Sequence, residues 1–202
     1  MIYNKLMNRV YLFGIPQYER DGTKIQISRR KSIALLAYLA VSGKPQSRDT
    51  LASLFYPEHD ASGARNNLRR DLFELKSSIG DTVLLVEREQ VGLNSAAALW
   101  VDVKAFQGHI EKAQQHRHTQ LGGEQIPVCA DCFQGLSEAA ALYSADFMAG
   151  FNLPASREFE EWQFFQAQTL HKALAEALQL LAQWHRDRNE SESAIQYARR
   201  WL

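Results

Sequence analysis

A mainly α fold with small β-sheets, built as two successive units, follows from three features of this 202-residue sequence. The first is segment 60–80 (DASGARNNLRRDLFELKSSIG), which reads as one capped helix with two unlike faces. The second is the order of elements in the first hundred residues: short apolar strands, three helical segments, then a hairpin signal. The third is a helical periodicity that runs with few breaks from residue 131 to the end.

The elements follow in order. Val10–Phe13 and Lys24–Ile27 are apolar runs that predict strands, with Asp21-Gly22 between them as a turn. Residues 30–41 (RKSIALLAYLAV) are apolar almost all round, as a central buried helix requires, and Gly43-Lys44-Pro45 ends it. Ser47 suits the N-cap of a short helix over 48–55, where Leu51, Leu54 and Phe55 are periodic, and Tyr56-Pro57 breaks it. In segment 60–80, Leu68, Leu72, Leu75 and Ile79 form an apolar stripe, while Arg65, Asn66, Arg69 and Arg70 crowd the opposite side. Asp60 or Ser62 can cap its start and Gly80 fits its stop. Val83–Val86 and Val91–Leu93, separated by polar 87–90, predict a hairpin. Strands, three helices and a hairpin in this order are the winged helix-turn-helix layout, with the third helix for a DNA groove and the hairpin as wing.

A helix with Leu on one face and Arg/Asn on the other has two readings. Forked Arg donors match guanine and paired Asn groups match adenine in a major groove. The plainer reading is a solvated surface helix. The neighbouring elements favour the first.

Trp100-Val-Asp-Val-Lys-Ala-Phe106 marks the junction between halves, and a helix is expected from Asp102 to about Gln115. A polar stretch, HRHTQLGGEQIP, follows. Beyond it, Leu136, Ala139, Ala140 and Tyr143 form one stripe, and 147–154 (FMAGFNLP) reads as a loop with an apolar rim. Residues 158–188 form a long helical pattern with Phe159, Trp162, Phe165, Leu170, Leu174, Leu178 and Leu181, for which core packing is the expected role. Residues 170–202 resemble one tetratricopeptide (TPR)-like helical pair, with Asn189 turning the chain and Ala194, Tyr197, Ala198 and Trp201 lining the second helix. Trp201-Leu202 falls inside a helical pattern, so a longer natural chain is expected. The division is residues 1–100 as a winged-helix unit and 101–202 as a helical unit.

Composition narrows the function classes. The net charge of zero hides an asymmetry: residues 1–100 hold 14 Lys/Arg against 10 Asp/Glu, and 101–202 hold 9 against 13. A +4 half beside a −4 half permits a polyanionic partner for the first. No segment has the roughly 18 consecutive apolar residues of a membrane span, and no secretory signal is recognisable at the start. Two cysteines are too few for a disulfide framework, and a reducing cytoplasm is the expected compartment. There is no glycine-rich phosphate loop, no G-x-S-x-G and no H-E-x-x-H, so no catalytic residues are assigned and no enzyme is expected.

One chemical constellation remains. His116-x-His118 and Cys129-x-x-Cys132 together make a complete tetrahedral set for a structural zinc. The alternatives are solvated histidines with half-buried thiols, or, less favoured because no strand precedes it, a redox C-x-x-C.

Further short motifs carry a family resemblance. They are Leu12-Phe-Gly14, segment 29–39 (RRKSIALLAYL), Ser47-Arg48, segment 54–57 (LFYP), segment 64–70 (ARNNLRR), segment 100–103 (WVDV), segment 141–151 (ALYSADFMAGF) and segment 159–162 (FEEW). In these the chain resembles bacterial transcriptional activators of the antibiotic-regulatory-protein (SARP) type, which join an OmpR-like winged helix to a bacterial transcriptional activator domain (BTAD). The resemblance spans nearly the whole chain. It implies sequence-specific binding of double-stranded promoter DNA and recruitment of RNA polymerase, with a homodimer on DNA as one arrangement. It also implies a sensor or ATPase domain further along a longer chain as a candidate partner. It places Arg65, Asn66, Arg69 and Arg70 in the major groove, Ser47 and Arg48 on phosphate at a helix N-terminus, and Arg88 at the wing tip. Arg29, Arg30 and Lys31 are either phosphate contacts or solvated. Phe73, one turn beyond Arg69, is expected in the core, with a thymine methyl as the other option. No cofactor is required, and no membrane is involved. The competing reading is a helical-repeat signalling adaptor whose winged helix binds protein; a steep salt dependence of duplex binding separates the two.

Overall fold

The computed structural model describes residues 7–116 and 128–201, and has the mainly α architecture with small sheets: a winged helix-turn-helix followed by TPR-like helices. Strands β1 (Asn8–Tyr11), β2 (Gln17–Arg20) and β3 (Thr23–Ile25) form an antiparallel meander. Asp21 and Gly22 join β2 to β3 with φ of 51° and 79°, the left-handed pair that a tight hairpin turn demands. Helices α1 (Arg30–Ser42), α2 (Arg48–Phe55) and α3 (Ala61–Ile79) follow, and then β5 (Leu84–Val86) and β6 (Gln90–Leu93) form the wing.

Strand β2 and two further pairings went unseen in the sequence. The two-residue strand β4 (Gln46–Ser47) pairs with β6, Gln46 opposite Val91 and Ser47 opposite Gln90, and so ties the start of α2 to the wing. Gly92 permits this approach: a Cβ there would meet Pro45 at 3.3 Å. Strand β7 (Leu99–Val101) then returns parallel to β1, completing a sheet of order β3-β2-β1-β7. The junction motif at Trp100 is therefore a sheet strand, built from the apolar run that precedes Asp102.

Asp102 begins α4 (Asp102–Gln115) and fastens it to the sheet. Its buried carboxylate accepts from the backbone N–H of Leu12 at 2.8 Å, of Phe13 at 2.9 Å and of Val103 at 2.7 Å. Burial holds this carboxyl above the usual aspartate value, against the downward pull of those donors. Helices α5 (Ala130–Leu142), α6 (Arg157–Arg186) and α7 (Ser191–Trp201) complete the chain, with Asn189 in the left-handed region between the last two. The 147–154 segment is the expected loop, and its apolar side chains face the core. Phe147, Met148 and Leu153 are buried, and Met148 N–H donates to the Leu12 carbonyl at 2.7 Å.

The core runs through both halves. Phe55 of α2 lies 5.3 Å (ring centroids) from Phe159 of α6, and Tyr38 of α1 lies 4.9 Å from Trp162. The α6 stripe is Phe159, Leu170, Leu174, Ala177, Leu178 and Leu181. Phe165, expected within it, is 63% exposed, because it falls between the rows that the 3.6-residue period carries inward. Among the described residues no helix is long and apolar enough to cross a membrane.

Candidate functional site

Helix α3 sets the geometry of the cationic surface. Asp60 caps it, accepting from Gly63 N–H at 2.9 Å, and Gly80 ends it with φ of 88°. Leu68, Leu72, Leu75 and Ile79 are buried, and each such side chain is worth about 1.5–3 kcal/mol of burial. Asp71 shares this inner face. Arg29 Nε meets its Oδ1 at 2.6 Å and the Tyr56 hydroxyl donates to its Oδ2, so the charge is paired where it is buried. With one face anchored, Arg65, Asn66, Arg69 and Arg70 all project outward and are exposed.

These four differ in what they touch. Arg65 makes a bidentate ion pair with Asp49 of α2, at 2.7 and 2.8 Å, and this guanidinium holds the Asp49 carboxyl below its usual value. The side chains of Asn66, Arg69 and Arg70 make no hydrogen bond or ion pair with any described residue. Arg48, Asp49, Arg65, Arg69, Arg88 and Glu89 line a cleft of about 460 Å³ between α2, α3 and the wing. Ser47 is the N-cap of α2; its Oγ accepts from Thr50 N–H at 2.9 Å and contacts Thr50 Oγ1 at 2.7 Å. Arg48 donates to the Glu87 carbonyl at 3.1 Å, a second link from α2 to the wing. At the tip, the Arg88 side chain is 95% exposed, its Nε 3.5 Å from Glu89.

Two expectations are revised. Phe73, expected in the core, is 74% exposed on the face of Asn66 and Arg69, one turn along. The buried row of α3 runs through Leu68, Leu72 and Leu75, and position 73 points the other way. Arg29, Arg30 and Lys31, expected either on phosphate or in solvent, are engaged by the chain itself. Arg29 is paired with Asp71, Arg30 donates to Asn152 at 2.7 and 2.8 Å, and Lys31 Nζ sits 3.7 Å above the Tyr56 ring. Arg29 ties α1 to α3, Lys31 ties it to the end of α2, and Arg30 ties it to the segment between α5 and α6. The Asp49–Arg65 clamp and the two wing glutamates went unseen, since pairings between elements leave no periodic signal.

The histidine and cysteine motif lies at the far end of α4. His116 is the C-cap of α4, and Cys129 and Cys132 are the N-cap and first turn of α5. His116 Nδ1 is 3.1 Å from Cys132 Sγ and 3.4 Å from Cys129 Sγ, and all three ligand atoms lie within 4.8 Å of one another. Burial and the hydrogen bond to Cys129 push the Cys132 thiol up to about 11. These three side chains stand close enough to hold a metal ion. His118 lies outside the described residues.

No protein-family model matches the chain, and no curated protein matches it at a significant level. Among solved structures, EmbR of Mycobacterium tuberculosis, determined in complex with a low-affinity phosphopeptide, is similar to it with a TM-score of 0.60 and 18% sequence identity. The similarity covers 97% of this chain and 59% of that one, so the chain spans about three fifths of the length of EmbR. At this identity the likeness establishes the fold: the order and packing of a winged helix and following helices are shared.

Proposed function

We propose that this chain is a sequence-specific, DNA-binding transcriptional regulator of the SARP type, acting as an activator that recruits RNA polymerase. One observation carries the reading. Asn66, Arg69 and Arg70 stand exposed on one face of a helix whose other face is locked into the core, and nothing within the described chain satisfies them. Donors so arranged suit the edges of bases in a major groove. Arg65, held by Asp49, is pre-set for the same groove, and exchanges its clamp for a base or phosphate on binding. Arg48, beside the N-cap Ser47, meets phosphate at the start of α2, and Arg88 reaches the adjacent minor groove from the wing.

Residues 1–100 carry this contact. Residues 101–202 serve as a BTAD-like surface for self-association on DNA, for RNA polymerase, or for a sensor or ATPase domain of a longer chain. The reading is non-enzymatic, needs no cofactor or membrane, and belongs in the cytoplasm.

A binding selection from random duplexes with the purified chain, followed by titration at several salt concentrations, is the test. An enriched sequence and a steep fall of affinity with salt are expected. No enrichment, or protein binding with salt-independent weak DNA contact, overturns the reading in favour of a helical-repeat adaptor.

A further inference from the structure

We propose that His116 Nδ1, Cys129 Sγ and Cys132 Sγ bind a zinc ion that staples the end of α4 to the start of α5; the DNA-binding reading neither requires it nor supports it. Zinc takes thiolate sulfur at about 2.3 Å and imidazole nitrogen at about 2.0–2.1 Å in a tetrahedral shell, which sets sulfur and nitrogen about 3.5 Å apart around the ion. The two nitrogen–sulfur separations here are 3.1 and 3.4 Å. Both nitrogen–sulfur separations therefore already approach that edge length, and small outward shifts admit the ion.

Charge supports the same ion. Two thiolates, one neutral imidazole and a divalent cation sum to zero. A neutral assembly is what a site with a buried Cys132 and a half-buried Cys129 can hold without a large desolvation cost. Soft sulfur and imidazole donors select zinc over magnesium or calcium, which take oxygen. Position matters as well. Cys129 is the N-cap of α5, where Ser, Thr, Asp or Asn would ordinarily stand, and its side chain makes no capping hydrogen bond. A thiolate there gains from the helix dipole while serving the metal. On binding, each thiol releases its proton to solvent and donates a sulfur lone pair to the ion; His116 donates through Nδ1 and keeps its proton on Nε2. A nitrogen or oxygen donor, solvent included, fills the fourth position.

The experiment uses the full chain without a histidine tag, purified under reducing conditions, with metal measured by mass spectrometry and thiols by titration after denaturation. About one equivalent of zinc and two free thiols per chain are expected. Cobalt(II) exchanged into the site should give sulfur-to-metal charge transfer in the near ultraviolet and strong tetrahedral bands in the visible. Cys129→Ser and His116→Ala, the two more exposed positions, should each lower zinc content at least tenfold after dialysis while helical circular dichroism persists. Retention of a full equivalent by both variants places the metal elsewhere and overturns the assignment. Less than a tenth of an equivalent in the reduced parent chain, after zinc loading and removal of excess, overturns it too. A Cys129–Cys132 disulfide that forms when the zinc-loaded protein is exposed to dissolved oxygen, which takes up the two electrons, would assign the pair to redox chemistry instead.

Discussion

The two polar clusters of this molecule, on α3 and at the α4–α5 junction, are organised in opposite ways. On α3, the side chains of Asn66, Arg69 and Arg70 are exposed and have no hydrogen-bond or ion-pair partner among the described residues. At the junction, His116, Cys129 and Cys132 converge until their donor atoms lie within 4.8 Å of one another. Divergent donors on a rigid helix suit a partner larger than the cluster, one that supplies acceptors over a wide surface. Convergent sulfur and nitrogen donors suit a partner smaller than the cluster, a single ion. Arg65 sits between these cases: it is on the divergent face, yet Asp49 holds it.

The largest expected effect breaks the convergent side. If zinc is the small partner, free metal at about 1,000 times its dissociation constant adds about 4 kcal/mol to stability by mass action. A chelator should therefore lower the melting temperature of the full chain, and zinc should restore it. Melting indifferent to both would make the junction an ordinary packing contact.

Next is the joint that holds the two regions in register. Asp102→Ala strands the buried N–H groups of Leu12 and Phe13 and should cost at least about 1–3 kcal/mol in denaturant unfolding. A loss below 0.5 kcal/mol, on the order of a typical surface substitution, would show that these donors find other partners.

On the divergent side, Arg69→Ala should cost about 1–3 kcal/mol on selected DNA sites and relax preference at one base position. Because the side chain is exposed, melting should not move. Unchanged sequence preference in a repeated binding selection would remove base readout from α3. Arg48→Ala should act differently, weakening all duplexes alike and reducing the salt slope by about one.

The smallest effect sharpens the intermediate case. Asp49 is held below the ordinary carboxylate value by Arg65. A lowered folded value means the pair contributes at neutral pH and is lost only as pH falls through that value. The Asp49 carboxyl resonance should titrate below the ordinary aspartate range in the parent chain and return toward it in Arg65→Ala. Identical midpoints would mean that the clamp does not form in solution.

Local chemistry determined much of this from sequence alone. The three helices of the first half, their caps at Ser47 and Asp60, the stop at Gly80 and the extent of α4 were legible, because periodicity, capping and glycine conformations act within a few residues of chain. So was the outward placement of Arg65, Asn66, Arg69 and Arg70, which follows from the opposite row of leucines. Tertiary structure decided what depends on distant partners. Strand β7 exists through its pairing with β1, some ninety residues away, and β4 through two residues of the wing. Phe73 and Phe165 are large and apolar, and composition alone sent them inward; the phase of each helix against its neighbours turned them out. Side-chain chemistry and spacing grouped His116 with Cys129 and Cys132, but their meeting required α4 and α5 to pack side by side in opposite directions, His109 beside Glu138 and His116 beside Cys132. Arg29, Arg30 and Lys31 looked alike in sequence and serve three different contacts, because a cation's role is set by whichever acceptor or ring the fold brings to it.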